Sequence, residues 1–353
     1  MSQDPLEKKR QGRVVIPIRG TSGNRLSAPR GAWRPVPERD DRWLMQSCGR
    51  AGVRRIRLWD SSSRLCRSGS SRSRRRIPPK TVVLIHGLWM APQCWEFFSH
   101  HDEARGYRVL APAWPRMAER VEEIRRDPMV LGGLGLKEIT DHYARLIRAL
   151  PAAPILMGHC TGGLVVQMLL DRGLGSAGVA IDPAIPKGVA GLPLGLLGRV
   201  WPALSRSFHT SNTVMLPFNV FRRTYANTLS DGEAIRVYQR NIVPGPCRPL
   251  YQSLFASLTS HSDATVNFNN SERAPLLLIA GGEDLLAPPE LVRLNYECYQ
   301  KSSAVTEFQE FSRRSHLIHL QTGWQVVAGY ALSWAEENAR RGGDAAWACD
   351  SIA

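Results

Sequence analysis

From Lys80 onward, apolar positions alternate between two patterns. Residues 81–85, 107–111, 155–157, 178–182 and 275–280 are short apolar runs with the length of buried strands, and 304–311 reads as a last strand. Between them, residues 92–104, 136–150 and 288–301 carry the spacing of helices, the last with proline in its first turn. The helix over 136–150 is predicted to place Ile139, Tyr143, Leu146, Ile147 and Leu150 on one face. Leu164, Val165, Met168 and Leu169 mark another, and 322–338 closes the series as an amphipathic helix. Strands alternating with helices, each strand apolar on both faces, predict an α/β fold with a mostly parallel sheet covered on both sides.

The alternation breaks over residues 187–270. Apolar residues there are scattered among Pro, Asn and Ser, with helical pieces near 192–204, 230–239 and 249–258. The stretch reads as an insertion between a first core part, 80–186, and a second, 271–340, with a loose tail at 341–353. It is expected to form a helical cap, either a lid that excludes water from a site beneath it or a packing subdomain.

Composition divides the 353 residues again. The net charge is +15, but residues 1–79 hold 20 basic and 6 acidic side chains, leaving the remaining 274 residues close to neutral. This arm is rich in Arg, Ser, Gly and Pro, and culminates in Ser68-Gly69-Ser70-Ser71-Arg72-Ser73-Arg74-Arg75-Arg76. Such a segment buries too little apolar surface to offset chain entropy, and most of it is expected to be disordered. Residues 14–18 and 53–59 have short strand patterns within it. A solvated tail, an upstream stretch foreign to the natural protein, and an electrostatic tether to nucleic acid or anionic membrane are its three readings.

Seven cysteines, at positions 48, 66, 94, 160, 247, 298 and 349, show neither a C-x-x-C pair nor zinc-site spacing. That usage, with no membrane-length apolar window and no secretory signal, makes the cytoplasm the expected location. No metal or cofactor is implied.

Chemistry concentrates where the run at 155–157 meets the helix after it. Gly158-His159-Cys160-Thr161-Gly162 is a G-x-S-x-G nucleophile elbow with Cys in place of Ser, strand before and helix after. The turn forces its central residue into strain with the side chain proud of the sheet, and small residues two positions away on either side remove the clash. A helix N-terminus beside a histidine favours a thiolate and then an oxyanion.

The chain therefore resembles the α/β-hydrolase superfamily over roughly residues 79–338. Thr81 to Trp89 looks like the strand and turn that supply one oxyanion donor, Pro275 to Asp284 the strand and loop with the triad acid, and Arg313-Arg314-Ser315-His316 the loop with the triad histidine. Ile181-Asp182-Pro183-Ala184, Tyr225-Ala226-Asn227-Thr228 and Gly323-Trp324 resemble a group of capped hydrolases that usually carry Ser at the elbow. The resemblance implies Cys160 as nucleophile, His316 as base and Asp284 as its orienting acid, with the backbone N–H groups of Leu88 and Thr161 as the oxyanion hole. His319 competes with His316. Asp182 is an alternative acid position, with a turn role favoured by Pro183, and Glu283 points away if Asp284 points inward. Trp89 and His86 are placed at the substrate pocket, although the His-Gly and Gly-His contexts of His86 and His159 suit structural roles. Trp95 and Trp114 line the pocket or fill the core.

The implied activity is hydrolysis of an uncharged ester, lactone or thioester through a Cys160-bound acyl intermediate, with a small acyl compound as partner. Cys elbows also occur, by resemblance, in dienelactone hydrolases and polyhydroxyalkanoate synthases, so acyl transfer between thioesters is the rival activity. A non-catalytic member of the fold that binds a small apolar ligand is the rival of a different class. Dehalogenase and epoxide hydrolase chemistry need a carboxylate at position 160.

Overall fold

The computed structural model describes residues 80–189 and 212–339, with Gly198 alone between them. The arm at 1–79, with its two strand patterns, the expected helix at 192–204 and the tail at 341–353 lie outside the described residues. Among the described residues no helix is long and apolar enough to cross a membrane.

Six strands form one sheet: β1 (Thr81–Ile85), β2 (Arg108–Leu110), β3 (Ile155–His159), β4 (Ala177–Ile181), β7 (Leu276–Gly281) and β8 (Thr306–Phe311). The order is β2-β1-β3-β4-β7-β8, and every pairing is parallel. Register is continuous across the centre, with Val82 opposite Ile155 and His159 opposite Ile181. β3, β4 and β7 are buried throughout and apolar but for His159 at the end of β3, as a sheet covered on both faces requires. One group of helices, α3 (Leu136–Arg148) and α4 (Thr161–Asp171), packs together and against β1, β3 or β4. Another, α1 (Glu96–Glu103) and the helix Trp324–Asn338, packs together and against β2, β4 and β7.

The edges depart from the expected pattern. In β8, Glu307 and Glu310 are exposed, and β2 begins on exposed Arg108, because an edge strand has sheet on one side only. In α3, Ile139, Tyr143 and Ile147 are buried but Leu146 is 38% exposed. At 100° per residue the buried stripe centres nearer Leu136, Thr140 and Ala144, which moves Leu146 to its rim. The expected helix at 92–104 starts as a tight 3-10 turn, Pro92–Trp95, before becoming α1. Two short helices went unforeseen, α2 (Val121–Arg126) and Phe218–Thr224.

Between β4 and β7 the chain leaves the sheet. Its described part holds the helices Phe218–Thr224, Asp231–Asn241 and Cys247–Leu254, and an antiparallel pair of short strands, β5 (Thr213–Val214) and β6 (Gly245–Pro246). Ser230 caps the second helix, its hydroxyl accepting from the Glu233 amide while Glu233 accepts from the Ser230 amide. The loop after β1 holds this insertion. Trp89 Nε1 donates to Val214 O at 2.9 Å, and the Val243 amide donates to Trp89 O at 2.9 Å. Arg125 adds bonds to the carbonyls of Gln239 and Ile242, both 2.7 Å.

Candidate active site

Parallel strands that end together leave a crevice at their carboxyl edge. The ends of β1, β3, β4 and β7, with the loop after β8, bring Leu88, Cys160, Thr161, Asp284 and His316 to this edge.

β3 ends at His159 and α4 begins at Thr161, so Cys160 is both the turn and the helix N-cap. Its φ of 54° and ψ of −121° are strained for a residue with a Cβ. Surrounding bonds hold it there: its amide donates to Ile181 O at 3.0 Å, and its carbonyl accepts from Gly163, Leu164 and Ala184. The flanking glycines are a matter of close approach. A Cβ on Gly158 would lie 2.2 Å from Gly162 O, and one on Gly162 would lie 2.0 Å from Ile85 O. The strand, helix and β1 thus pack too tightly for any side chain there, and the α4 N-terminus aims its dipole at the half-buried thiol.

Facing it is a buried pair. His316 Nδ1 donates to Asp284 Oδ2 at 2.6 Å, while Asp284 Oδ1 accepts from the amides of Leu286 at 2.7 Å and Ala287 at 3.0 Å. The acid is therefore oriented by its own turn before it orients the imidazole. His316 Nε2 has no hydrogen-bond partner among the described residues, and His316 shares a cavity with the Cys160 thiol. Burial pulls the His316 pKa down, but the charges of Asp284 and Cys160 and the hydrogen bond to Asp284 outweigh it and hold the imidazole well above the ordinary histidine value. Glu283 is exposed.

Asp182, at the end of β4, also enters the site. It is fully buried at a φ of 44°, and Oδ1 accepts from the Gly281 amide at 2.7 Å while Oδ2 has no partner. Burial, and then repulsion from Asp284, push its carboxyl well above the usual range, which favours the neutral acid at Asp182.

His159 and His319 form a layer behind the catalytic edge. His159 Nε2 donates to His316 O at 2.7 Å, and its ring lies 4.6 Å from that of His316 and 4.1 Å from that of His319. Burial holds His319 neutral, with its pKa lowered to about 3, and burial pushes His159 well below its usual value. His319 rests on Trp95 at 5.0 Å, with no hydrogen bond to either ring nitrogen among the described residues, whereas His316 meets Asp284. Ligand-type atoms of His159, Asp182 and His316 come within 4.8 Å of one another. His159 Nε2 and His316 Nδ1 are bonded to a carbonyl and a carboxylate, while His159 Nδ1, His316 Nε2 and Asp182 Oδ2 have no hydrogen-bond partner among the described residues.

A cavity of about 80 Å³ opens onto the sulfur, lined by Leu88, Trp89, Thr161, Tyr225, Leu254 and His316 among others. The amides of Leu88 and Thr161 donate no hydrogen bond to another described residue, which leaves both for a ligand oxygen. Trp89 lines the cavity. His86 is not among its lining residues: it is buried, stacked on Trp114 at 4.9 Å, with Nδ1 donating to Gly87 O at 3.0 Å and burial lowering its pKa to about 4. Trp95 and Trp114 are core residues.

Sequence reasoning assigned no role to Tyr225, which follows the helix Phe218–Thr224 in the insertion. It is 1% exposed, and its ring stands perpendicular to that of His316 at 4.7 Å. Its signal was the Tyr225-Ala226-Asn227-Thr228 stretch, whose Asn227 Nδ2 donates to Glu283 O at 2.9 Å and ties the insertion to the acid loop.

The model of the alpha/beta hydrolase family matches residues 82–329. No curated protein matches the chain in sequence. Among solved structures, an extracellular alpha/beta-hydrolase from a Paenibacillus species, described as sharing structural and functional homology with tobacco Salicylic Acid Binding Protein 2, is 22% identical with a TM-score of 0.56, over 74% of this chain and 100% of its own. Polyneuridine aldehyde esterase is 16% identical with a TM-score of 0.54, over 73% of this chain and 99% of its own. A monoacylglycerol lipase from Paleococcus ferrophilus is 21% identical with a TM-score of 0.51, over 72% of this chain and 95% of its own. These likenesses concern the fold, and the family match spans most of the chain and all six sheet strands. The chain belongs to the alpha/beta hydrolase family.

Proposed function

We propose that the protein hydrolyses small uncharged carboxylic esters, lactones or thioesters, with Cys160 as nucleophile, His316 as acid and base, and Asp284 as the group that orients and charges His316. The observation that carries this reading is the buried Asp284–His316 hydrogen bond of 2.6 Å beside a strained Cys160 at a helix N-terminus.

The Cys160 thiol gives its proton to His316 Nε2, which leaves the sulfur as the nucleophile. Sγ attacks the carbonyl carbon, and the oxyanion is received by the amides of Leu88 and Thr161, each donor being worth about 3–4 kcal/mol of barrier. His316 Nε2 passes its proton to the leaving oxygen or sulfur, the carbon–heteroatom bond breaks, and the acyl group remains on Cys160 as a thioester. Water, deprotonated by the now neutral His316, attacks that thioester; the sulfur leaves as thiolate and the carboxylic acid departs. The helices between β4 and β7 serve as a cap that keeps bulk water from the small apolar cavity.

Esterase and lipase neighbours of the same fold support this substrate class. The test is turnover of short-chain activated esters by the parent, Cys160→Ala and Cys160→Ser at several pH values. An active parent and an inactive Cys160→Ala support the triad. Equal inactivity of both, with activity gained in Cys160→Ser, overturns ester hydrolysis in favour of thioester transfer or ligand binding.

A further inference from the structure

We propose that Tyr225 is a further catalytic residue: its phenol O–H donates a hydrogen bond to Cys160 Sγ and, with His316, holds that sulfur as the attacking thiolate. The inference rests on Cys160 being the nucleophile.

The insertion delivers this side chain to the reacting sulfur. Tyr225 lines the same cavity as Cys160 and His316, with its ring 4.7 Å from that of His316. Its ring is fixed on three sides, perpendicular to His316, stacked on Phe221 at 5.7 Å and edge-on to Trp89 at 6.2 Å. The backbone beneath is fixed too, the Tyr225 amide donating to Phe221 O at 2.8 Å. Every one of these contacts would serve a phenylalanine equally well. The hydroxyl is the atom they leave unexplained, and a buried phenol needs a partner.

The direction of the bond follows from acidity. A phenol is a weaker acid than a thiol, and when the two share a hydrogen bond the weaker acid keeps the proton. Burial, and then the negative charges of Cys160 and Asp284, push the Tyr225 phenol further up, so it donates and the sulfur accepts.

The other groups around Cys160 show why a donor matters. Asp284 sits after β7 on the Nδ1 side of the His316 ring, and Asp182, kept neutral by burial at the end of β4, supplies no positive charge. Behind Cys160, His159 and His86 are neutral by burial and supply no positive charge. Ionisation therefore depends on the His316 imidazolium, the α4 N-terminus and the Tyr225 hydroxyl.

The test is alkylation of the full chain by iodoacetamide across pH, followed at Cys160 by site-resolved mass spectrometry. Half-exposed Cys298 reports general thiol reactivity, and Cys160→Ala identifies the signal. In Tyr225→Phe the pH midpoint for Cys160 alkylation is expected to rise by about one unit, a tenfold loss of thiolate below it, with the melting temperature little changed. The acid limb of kcat/KM moves with it. Replacing Tyr225 by 3-fluorotyrosine, a stronger donor of the same shape, moves the midpoint down and covers the case in which Tyr225→Phe does not fold. Midpoints within about 0.2 unit of the parent in both variants overturn the role of Tyr225 and leave the nucleophile intact. A Cys160 that resists alkylation throughout in the folded parent overturns the nucleophile assignment itself.

Discussion

Two buried carboxyls lie beside one histidine, and replacing each by its isosteric amide separates their roles. Asp284 carries charge to His316 Nδ1 at 2.6 Å, which at an effective dielectric of about 20 corresponds to an attraction on the order of 6 kcal/mol. In Asp284→Asn the oxygen that accepts from Leu286 and Ala287 is preserved, so the turn stays as it is. The amide nitrogen then faces Nδ1, forces the other tautomer and removes the charge that keeps the imidazole protonated. Part of the attraction is recovered by solvent and by ionisation of Asp182 once its charged neighbour is gone, which leaves a loss of about 4–5 kcal/mol, or three to four powers of ten in kcat/KM. Asp182→Asn exchanges a neutral acid for a neutral amide and keeps an acceptor for the Gly281 amide, so its effect is expected below about tenfold. The assay is kcat/KM for an activated acetate ester at neutral pH, with urea unfolding to confirm comparable folded stability. A loss under tenfold for Asp284→Asn together with a large loss for Asp182→Asn would refute the assignment and make Asp182 the orienting acid.

Other consequences follow from the cavity and the buried charges. The cavity, at about 80 Å³, is roughly half the size of one that admits benzene, so kcat/KM for a series of linear acyl esters is expected to peak at about two to four carbons and fall more than tenfold by eight; a flat series contradicts it. His319 is neutral when folded and protonates on unfolding below about pH 6.5, so it makes stability rise with pH from about 4 to 6.5; His319→Phe should reduce that slope by about 1.3 kcal/mol per pH unit, read from urea unfolding. Asp102 has the opposite sign. Burial raises its carboxyl to about 6 against the hydrogen bond from His101, so the fold loses about 2–3 kcal/mol as pH climbs from about 4 to 6, and Asp102→Asn should gain on the parent by that amount over the interval.

The sheet was legible because its signals are local. Parallel strands buried on both faces leave apolar runs, and the elbow's glycines mark where two backbones touch, so β1, β3, β4 and β7 and the position of Cys160 could be read directly. His316 and Asp284 were legible through chain order and loop context, although only tertiary structure puts them 2.6 Å apart. The insertion was harder, since its helices pack on loops rather than on a periodic sheet face. Phe218–Thr224 is too short to show a helical repeat, and nothing local marks Tyr225 as reaching across to His316. Asp182 looked like a turn residue because of Pro183. It is one, at a φ of 44°, and that same turn tips its carboxyl into the site. His86 was placed at the pocket, but it is buried just past the end of β1 and stacked on Trp114.

The most direct test of the central claim is to trap the acyl-enzyme. Parent protein and His316→Ala are mixed with an activated acetate ester, quenched in acid within one turnover, and digested for mass spectrometry. The account predicts an acetyl group on Cys160 of the parent, formed with release of one equivalent of alcohol, and strongly reduced labelling in His316→Ala. Turnover with no acyl group on Cys160, or labelling of Cys160 at an equal rate without His316, would contradict it.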